Sequence, residues 1–384
     1  MERAMFIFKP LAAAVLAVLA TQAFAENNTA RQDQHGVLNT ATIEQSGSGN
    51  AAKQSHSGYA NEARLAQANS QAGTAQQAQA GNYNVATAEQ ADSTNAYSNQ
   101  YQYGWNNQAS VSQQASESAS VNQTQTGTAN EAETEQLNTT QATSRITQNG
   151  NTHWAHTLQE GAVASEVSVN QQGDNHTALL WQRDGSNNVA TVIQTGNDTS
   201  ANIYQLDSQG SVATLEVSGV STSAYVTQRG TQQQAAVRID GQNGGALVTQ
   251  EGSNNDADTT QSGVSNSIDA FQAGDWQAAQ LSQVGDYNIA TANQTGTGNE
   301  FYADQIGNSN VLYGTQEGSD NILSASTEGS LNEITIGQQG DRNVAYLSQL
   351  SGSDNHITLQ QTGADLRVNL SQSGTGNRVN LIQQ

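Results

Sequence analysis

From Gln34 to Gln383 a glutamine returns every 11 or 12 residues, and small or apolar residues occupy alternate positions between one glutamine and the next. In the unit Gln338–Gln349, numbered from zero at Gln338, Asn343 stands at position 5, Ala345 at 7, Leu347 at 9 and Gln349 at 11. These share one parity, with Val344, Tyr346 and Ser348 between them. Alternate residues of an extended chain lie on one face. The pattern therefore predicts a turn, Gln-Gly-Asp-Arg, followed by a strand of about six residues whose Asn, Ala, Leu and Gln point inward. Neighbouring units repeat it: Ile357, Leu359 and Gln361 inward against His356, Thr358 and Gln360, then Val368, Leu370 and Gln372 against Arg367, Asn369 and Ser371. A period of two excludes helices. Glycine at position 2 suits a backbone with positive φ, and the Asp, Asn and Ser beside it are turn formers.

The register contains 31 units and 32 boundary positions, of which only His56, Val217, Ile239 and Thr327 are not glutamine. A fixed short period marks stacked, near-identical elements. From Gln67 to Val217 the steps alternate between 12 and 11, so two unequal half-units make a coil of 23 residues. Beyond Val217 the steps equalise at 11, apart from the one into Gln361, and coils have 22. The fold class is all-β: an amyloid-like β-solenoid of stacked two-strand coils, 22 to 23 residues per coil. About fifteen coils at a strand spacing of ~4.8 Å make a rod roughly 70 Å long, with no room for a ligand between its two facing sheets.

Inward amides must find partners. In-register stacking lets each one bond the identical amide a coil above and below. Such a bond nets only about 1 kcal/mol, whereas an unmatched buried amide costs about 1–3, so ladders enforce register more than they add stability. The residues expected to carry self-assembly are Gln283, Asn288, Gln294, Asn299, Gln305, Asn310, Gln316, Asn321, Gln338, Asn343, Gln349, Asn355, Gln361, Gln372, Asn377 and Gln383. Soluble solenoids cap their terminal repeats, and sheets blunt their edges with proline or charge. Here the sequence stops at Gln384, and its single proline is Pro10, so both ends of the rod are expected to accept another copy.

With 35 glycines, few aromatics and 12% charged residues among 384, the composition argues against an ordinary globular core, although the length could hold two or three domains. Such polarity would otherwise suggest disorder; the strict register argues against it. Arg3 and Lys9 precede the apolar run Leu11–Ala20, and Ala23-Phe24-Ala25 is a small-residue cleavage pattern, so residues 1–25 read as a secretory signal peptide. Residues 26–33 form a short N-terminal segment, and 34–384 the repeat solenoid. No later stretch is apolar enough for a membrane helix, which argues against membrane insertion. An exported chain without cysteine must be held together by repetition instead of disulfides. Removing Glu2, Arg3 and Lys9 with the leader takes the net charge from −22 to −23, which disfavours nucleic acid and anionic membrane partners.

Candidate chemistry is sparse. Glu131, Glu133 and Glu135 fall at positions 6, 8 and 10 of their unit and so face outward, as do Asp256 and Asp258. A carboxylate stripe can bind calcium; the reading preferred is a solvated face that restrains premature stacking. His153 and His156 lie at positions 5 and 8, on opposite faces, and do not make a zinc pair; His35, His56, His176 and His356 are scattered. Gly47-Ser48-Gly49, Gly296-Thr297-Gly298 and Gly374-Thr375-Gly376 are repeat turns without a following helix, not phosphate loops. Tyr97, Tyr101, Tyr103 and Trp105 are expected to pack on neighbouring coils, with sugar stacking as the alternative. No nucleophile–base arrangement or clustered acid pair suggests catalysis, and no metal or cofactor is expected.

The phrase Gln-x-Gly-x-x-Asn-x-Ala-x-x-x-Gln, complete at 34–45, 79–90, 102–113, 125–136, 283–294 and 338–349, resembles the curlin repeat of bacterial curli subunits, and its rhythm covers nearly all of residues 34–384. The resemblance implies a structural subunit of an extracellular, cell-surface amyloid fibre of the biofilm matrix, with roles in surface adhesion and cell aggregation. It also implies partners: other copies of itself, a nucleating curlin subunit, a periplasmic chaperone and an outer-membrane secretion pore. Two features depart from the pattern. The chain has about three times the usual five coils, and only Glu26–Asp33 stands where the best-known major curlin has a glycine-rich segment. The basic terminal repeat of a nucleating subunit is also lacking, which favours a fibre-forming role. The alternative function is a monomeric secreted β-solenoid adhesin that binds carbohydrate or another surface.

Overall fold

The computed structural model describes residues 27–384; the expected signal peptide lies outside them. Among the described residues there are 32 strands, from β1 (Thr29–Val37) to β32 (Arg378–Gln383), and no helix. Odd-numbered strands form one 16-stranded sheet, A, and even-numbered strands a second, B; each strand bonds the strands two before and two after it. All pairs are parallel, as in β1 with β3 (Ala51–Tyr59) and β2 (Thr40–Ser48) with β4 (Glu62–Gln71). The chain therefore changes sheet at every half-unit, and one strand of each sheet makes a coil. The β-solenoid of stacked coils read from the sequence is the fold.

Period-two alternation is the reason. In β29 (Val344–Ser353) Ala345, Leu347 and Gln349 are buried and Tyr346 is exposed; in β30 (His356–Ala364) Ile357, Leu359 and Gln361 are buried. There are sixteen coils, because the first strand begins at Thr29: residues 29–33, expected in a separate segment, pair in register with Ala51–Ser55.

All the strands but β32 are longer than six residues, most of them nine, and the turn lies further along than expected. The backbone keeps pairing through the boundary glutamine and the glycine after it, as where Gly104 lies opposite Gly127 and Gly127 opposite Gly150. Gly127 has φ +121°, and a Cβ there would meet the carbonyl oxygen of Gly150 at 2.0 Å. Glycine thus answers two demands at once, a positive φ and a neighbour's carbonyl at its α-carbon. At most arcs only two residues then connect the strands. The first of them is left-handed and is often not glycine, for example Tyr83, Thr152 and Leu331 at φ 55–58°. Left-handed backbone costs an ordinary residue roughly 1–2 kcal/mol. Each gains an axial bond in return, such as Tyr83 N–H to the carbonyl of Tyr59 at 3.0 Å and Thr152 N–H to that of Thr128 at 2.9 Å.

The 12-residue steps between Gln67 and Val217 all occur on the arc that leads from sheet B to sheet A, whereas the one from Gln349 to Gln361 lies on the opposite arc. Six extra bridges join seven consecutive coils along this arc, from Gln71–Thr94 through to Ser186–Gln209. Each bridging residue is preceded by one more inward residue, which is small: Ser70, Ser93, Ser116, Thr139, Ala162, Gly185 and Ser208. Between the sheets, apolar side chains form a large cluster from Ala132 to Val368 and a smaller one from Ala52 to Val121. Volume is matched across the gap: Phe301, fully buried, fills the space at Gly314, where a Cβ would lie 2.0 Å from its ring.

Gly127→Ala is therefore expected to lower the stability of the solenoid by about 2 kcal/mol or more, through backbone strain and steric conflict. Gly245→Ala, where a Cβ meets only Ser223 Oγ at 3.6 Å, is expected to change it by less than about 0.5 kcal/mol. Guanidinium unfolding followed by circular dichroism measures both, and equal losses would refute the stacking explanation.

Candidate self-assembly ladders

In sheet B the boundary column is glutamine in all sixteen coils, Gln45 to Gln383. Each Nε2 donates to the Oε1 of the glutamine one coil later, in fifteen consecutive bonds of 2.7–2.9 Å. The second Nε2 proton crosses to the facing sheet, as from Gln294 to the carbonyl of Ala278 at 2.9 Å and from Gln316 to that of Glu300 at 2.9 Å. One amide group thereby joins successive coils and also ties the two sheets. Among the expected ladder residues, Gln294, Gln316, Gln338, Gln361 and Gln383 are linked in this unbroken file.

The four exceptions, His56, Val217, Ile239 and Thr327, all fall in sheet A and cut its file into pieces. Gln79 to Gln194 is one continuous run. Gln283 reaches Gln305 at 2.7 Å, and Gln349 reaches Gln372 at 3.2 Å; Thr327 separates these two pairs. Because every bond points the same way, an interruption deprives the next glutamine of its donor. The buried Oε1 atoms of Gln79, Gln261 and Gln349, which follow His56, Ile239 and Thr327, are the ones left without a partner.

The asparagines behave differently from the amide-on-amide expectation. Asn288, Asn310, Asn355 and Asn377 line one arc, and Asn299, Asn321 and Asn343 the other. Asn288 Oδ1 accepts the backbone N–H of Asn310 at 3.0 Å, and its Nδ2 donates to the carbonyl of Gly307 at 2.8 Å. Asn299 likewise accepts from the N–H of Asn321 at 3.1 Å and donates to Gly318 at 3.0 Å. Amide-to-amide contact is secondary, as from Asn377 Nδ2 to Asn355 Oδ1 at 3.0 Å. Position 5 is where the arc leaves backbone groups without strand partners, so the short side chain completes the backbone, whereas the longer glutamine reaches its own kind.

A further ladder was not anticipated. Gln32, Gln54, Gln77, Gln100 and Gln123 stand two residues before the boundary position in sheet A, where an apolar residue was expected, and bond head to tail at 2.8–3.0 Å. It passes to the hydroxyl of Thr134 at 3.1 Å, beside Ser144 and Thr157. The doublet Gln-x-Gln, present at 32–34, 77–79, 100–102 and 123–125, is the signal for it.

His176, read from the sequence as scattered, pairs with His153. They occupy consecutive places in the asparagine column and stack with ring centroids 4.9 Å apart and planes 3° apart. Each ring repeats the bonds of the asparagine it replaces. Nε2 meets the carbonyl four residues back, Asn149 at 3.3 Å and Gln172 at 3.0 Å, while Nδ1 of His153 accepts the N–H of His176 at 3.3 Å. These partners assign the proton to Nε2. Burial lowers the pKa of both, assisted at His153 by the adjacent His176 and opposed by the carbonyls. His56, buried with neither nitrogen bonded, is lowered by burial to about 4. On the outer faces Glu131 is exposed, whereas Glu133 and Glu135 are half-buried, less open than expected. Trp105 packs edge-on against Tyr83 of the preceding coil, while Tyr101 and Tyr103 project into solvent.

Three stretches of the chain, residues 25–53, 164–196 and 329–363, match the model of the curlin associated repeat. No curated protein matches the chain significantly.

His56→Gln and Thr327→Gln each restore a missing donor and are expected to raise stability by about 1–2 kcal/mol, seen as a higher guanidinium midpoint; unchanged midpoints would show that the orphaned acceptors cost nothing. The histidines also predict a pH dependence. Neutral when folded, they take up protons in the unfolded chain below the ordinary value of 6.5, so stability falls as pH drops through 6.5, down to about 4 for His56. Asp256 and Asp269, raised by burial, act in the opposite sense. A His56→Gln, His153→Asn, His176→Asn chain is therefore expected to lose less stability between pH 7 and 5 than the parent. Parallel curves would contradict this assignment.

Proposed function

We propose that this chain, which belongs to the curlin-repeat family, is a fibre-forming structural subunit of an extracellular, curli-like amyloid. It assembles by adding copies to the ends of the solenoid. The observation that carries this reading is the one-way glutamine file of sheet B. At one tip Gln383 Nε2 meets only the carbonyl of Arg367 at 3.4 Å, and at the other the Oε1 of Gln45 has no glutamine beneath it among the described residues. One tip therefore offers donors and the other acceptors, and the outer edges of β1, β2, β31 (Arg367–Thr375) and β32 are unpaired among the described residues. A contact between unlike surfaces does not close and gives open filaments. The register fits too: Gln383 above Gln45 and Gln372 above Gln34 continue both files.

In this reading the protein has a structural role and no catalytic one. Its setting is the cell-surface fibre of a biofilm, where it supports adhesion and cell aggregation after export through the periplasm. Its partners are further copies of itself, a nucleating curlin subunit, a periplasmic chaperone and an outer-membrane secretion pore. The acidic outer faces keep the chain soluble until it stacks.

Purified chain is expected to form thioflavin-positive fibres with a meridional reflection near 4.8 Å. Gln372→Ala with Gln383→Ala, the first at a buried and the second at a half-buried position of the last coil, should leave the monomer β-rich but slow elongation on pre-formed seeds by roughly ten-fold, the equivalent of about 1.4 kcal/mol. A chain that stays monomeric and β-rich at high concentration would favour the adhesin reading instead. Unaltered elongation of the double variant would remove the tips from the mechanism.

A further inference from the structure

On the outer face of sheet B, strand β10 (Glu131–Leu137) lies beside β12 (Trp154–Glu160), with Glu133 opposite His156 and Glu135 opposite Leu158. Sequence spacing set His153 and His156 apart by face; stacking brings His156 to the glutamates of the preceding coil. A carboxylate oxygen from each of Glu133 and Glu135 and a ring nitrogen of His156 all lie within 4.8 Å of one another, and the three side chains are half-buried.

We propose that Glu133, Glu135 and His156 form a binding site for a divalent transition ion of the zinc class. Three observations converge. Two carboxylates stand side by side, and the outward positions of β8 (Gln108–Gln114), β10 and β12 around them hold Gln108, Ser110, Ser112, Glu131, Trp154 and Leu158, none of them cationic. Arg183, at the end of the adjoining strand β14 (Thr177–Arg183), is engaged with Glu160 at 2.8 Å. Lastly, Nε2 of His156 is shut off from solvent and has no hydrogen-bond partner among the described residues. The ring is held edge-on by Trp154, 6.0 Å away at 70°.

A shielded polar atom without a partner calls for an explanation, and an ion is one. His356 supplies the contrast. Its ring also sits among carboxylates, but Nδ1 meets Glu333 at 3.1 Å and Nε2 meets Asp354 at 3.2 Å, so both nitrogens are satisfied without a metal. Asp256 and Asp258 are an exposed carboxylate pair with no imidazole opposite, since their neighbours on the adjoining strands are Gln234, Ala236, Ala278 and Gln280.

Ligand chemistry selects the ion. Calcium and magnesium take six or more oxygens, whereas imidazole with carboxylates suits zinc and its neighbours in the transition series. Three protein ligands with water in the fourth position is a familiar zinc arrangement. The ligands come from two successive coils, so the ion would clamp one coil to the next and favour the folded over the unfolded chain.

Titrating the full chain with zinc chloride by calorimetry at pH 7.5 tests this. One site is expected, weakened about ten-fold or more by His156→Gln and by Glu133→Gln. Glu131→Gln, on the same stripe but outside the triad, and His356→Gln should stay within about two-fold of the parent, and calcium chloride should not compete. The substituted residues face outward, and circular dichroism will show whether each variant keeps its β content. X-ray absorption of the zinc-loaded chain should show nitrogen and oxygen ligands together. Equal losses in Glu131→Gln, losses confined to His356→Gln, or affinity unchanged in both triad variants would overturn the site.

Discussion

The axial bond from one side-chain amide to the same amide a coil later governs this molecule. Its 2.7–2.9 Å length can be kept over fifteen links only if every coil has the same rise and register. A one-residue slip would turn each glutamine to the outer face and leave its neighbours unsatisfied in the interior. The energy of one bond is small, and the cost of an unmatched partner is larger. The ladder therefore works mainly by penalising any arrangement other than the native one, and the alternation of the strands, the glycines near most arcs and the small residues inside all conform to it.

The two sheets bear this constraint unequally. Sheet B keeps glutamine in every coil, whereas sheet A accepts histidine, valine, isoleucine and threonine, leaving an orphaned acceptor after His56, Ile239 and Thr327. Val217 is where the sheet A run from Gln79 ends: the amide of Gln194 turns to the carbonyls of Thr177 and Thr199. Sheet A holds the additional ladder from Gln32 to Gln123, and the same column is apolar from Ile146 onward except at Thr259. Along the rod, then, amide bonding and apolar packing exchange shares of the same task. The continuous file in sheet B carries register through the coils where sheet A is interrupted.

Direction is the property that links structure to function. A ladder of like groups could have been symmetric, but primary amides donate at one atom and accept at another, so a file of them has a donor end and an acceptor end. Within the described residues the sheet B file therefore has unlike ends, the property on which the proposed head-to-tail growth rests. The outer faces, rich in carboxylates, take no part in that bonding and are free for other chemistry, as where Glu133, Glu135 and His156 meet.

Much of this was legible in the sequence, because period-two alternation and an 11- or 12-residue rhythm are local facts. The all-β class, the pairing of half-units into coils of 22 or 23 residues and the inward glutamines all follow from spacing alone, since side-chain parity in a strand is set by backbone geometry. Tertiary structure decided which amide meets which. It placed all four interruptions in one sheet, gave the bonds a direction, and set the asparagines to completing the backbone of the arcs. It stacked His153 on His176, 23 residues apart, and carried His156 to Glu133 across a strand boundary. The physical reason is that a sequence displays neighbours along the chain, whereas the partners that matter here lie one coil away, ~4.8 Å along the axis. Their identity depends on where each arc inserts its extra residue.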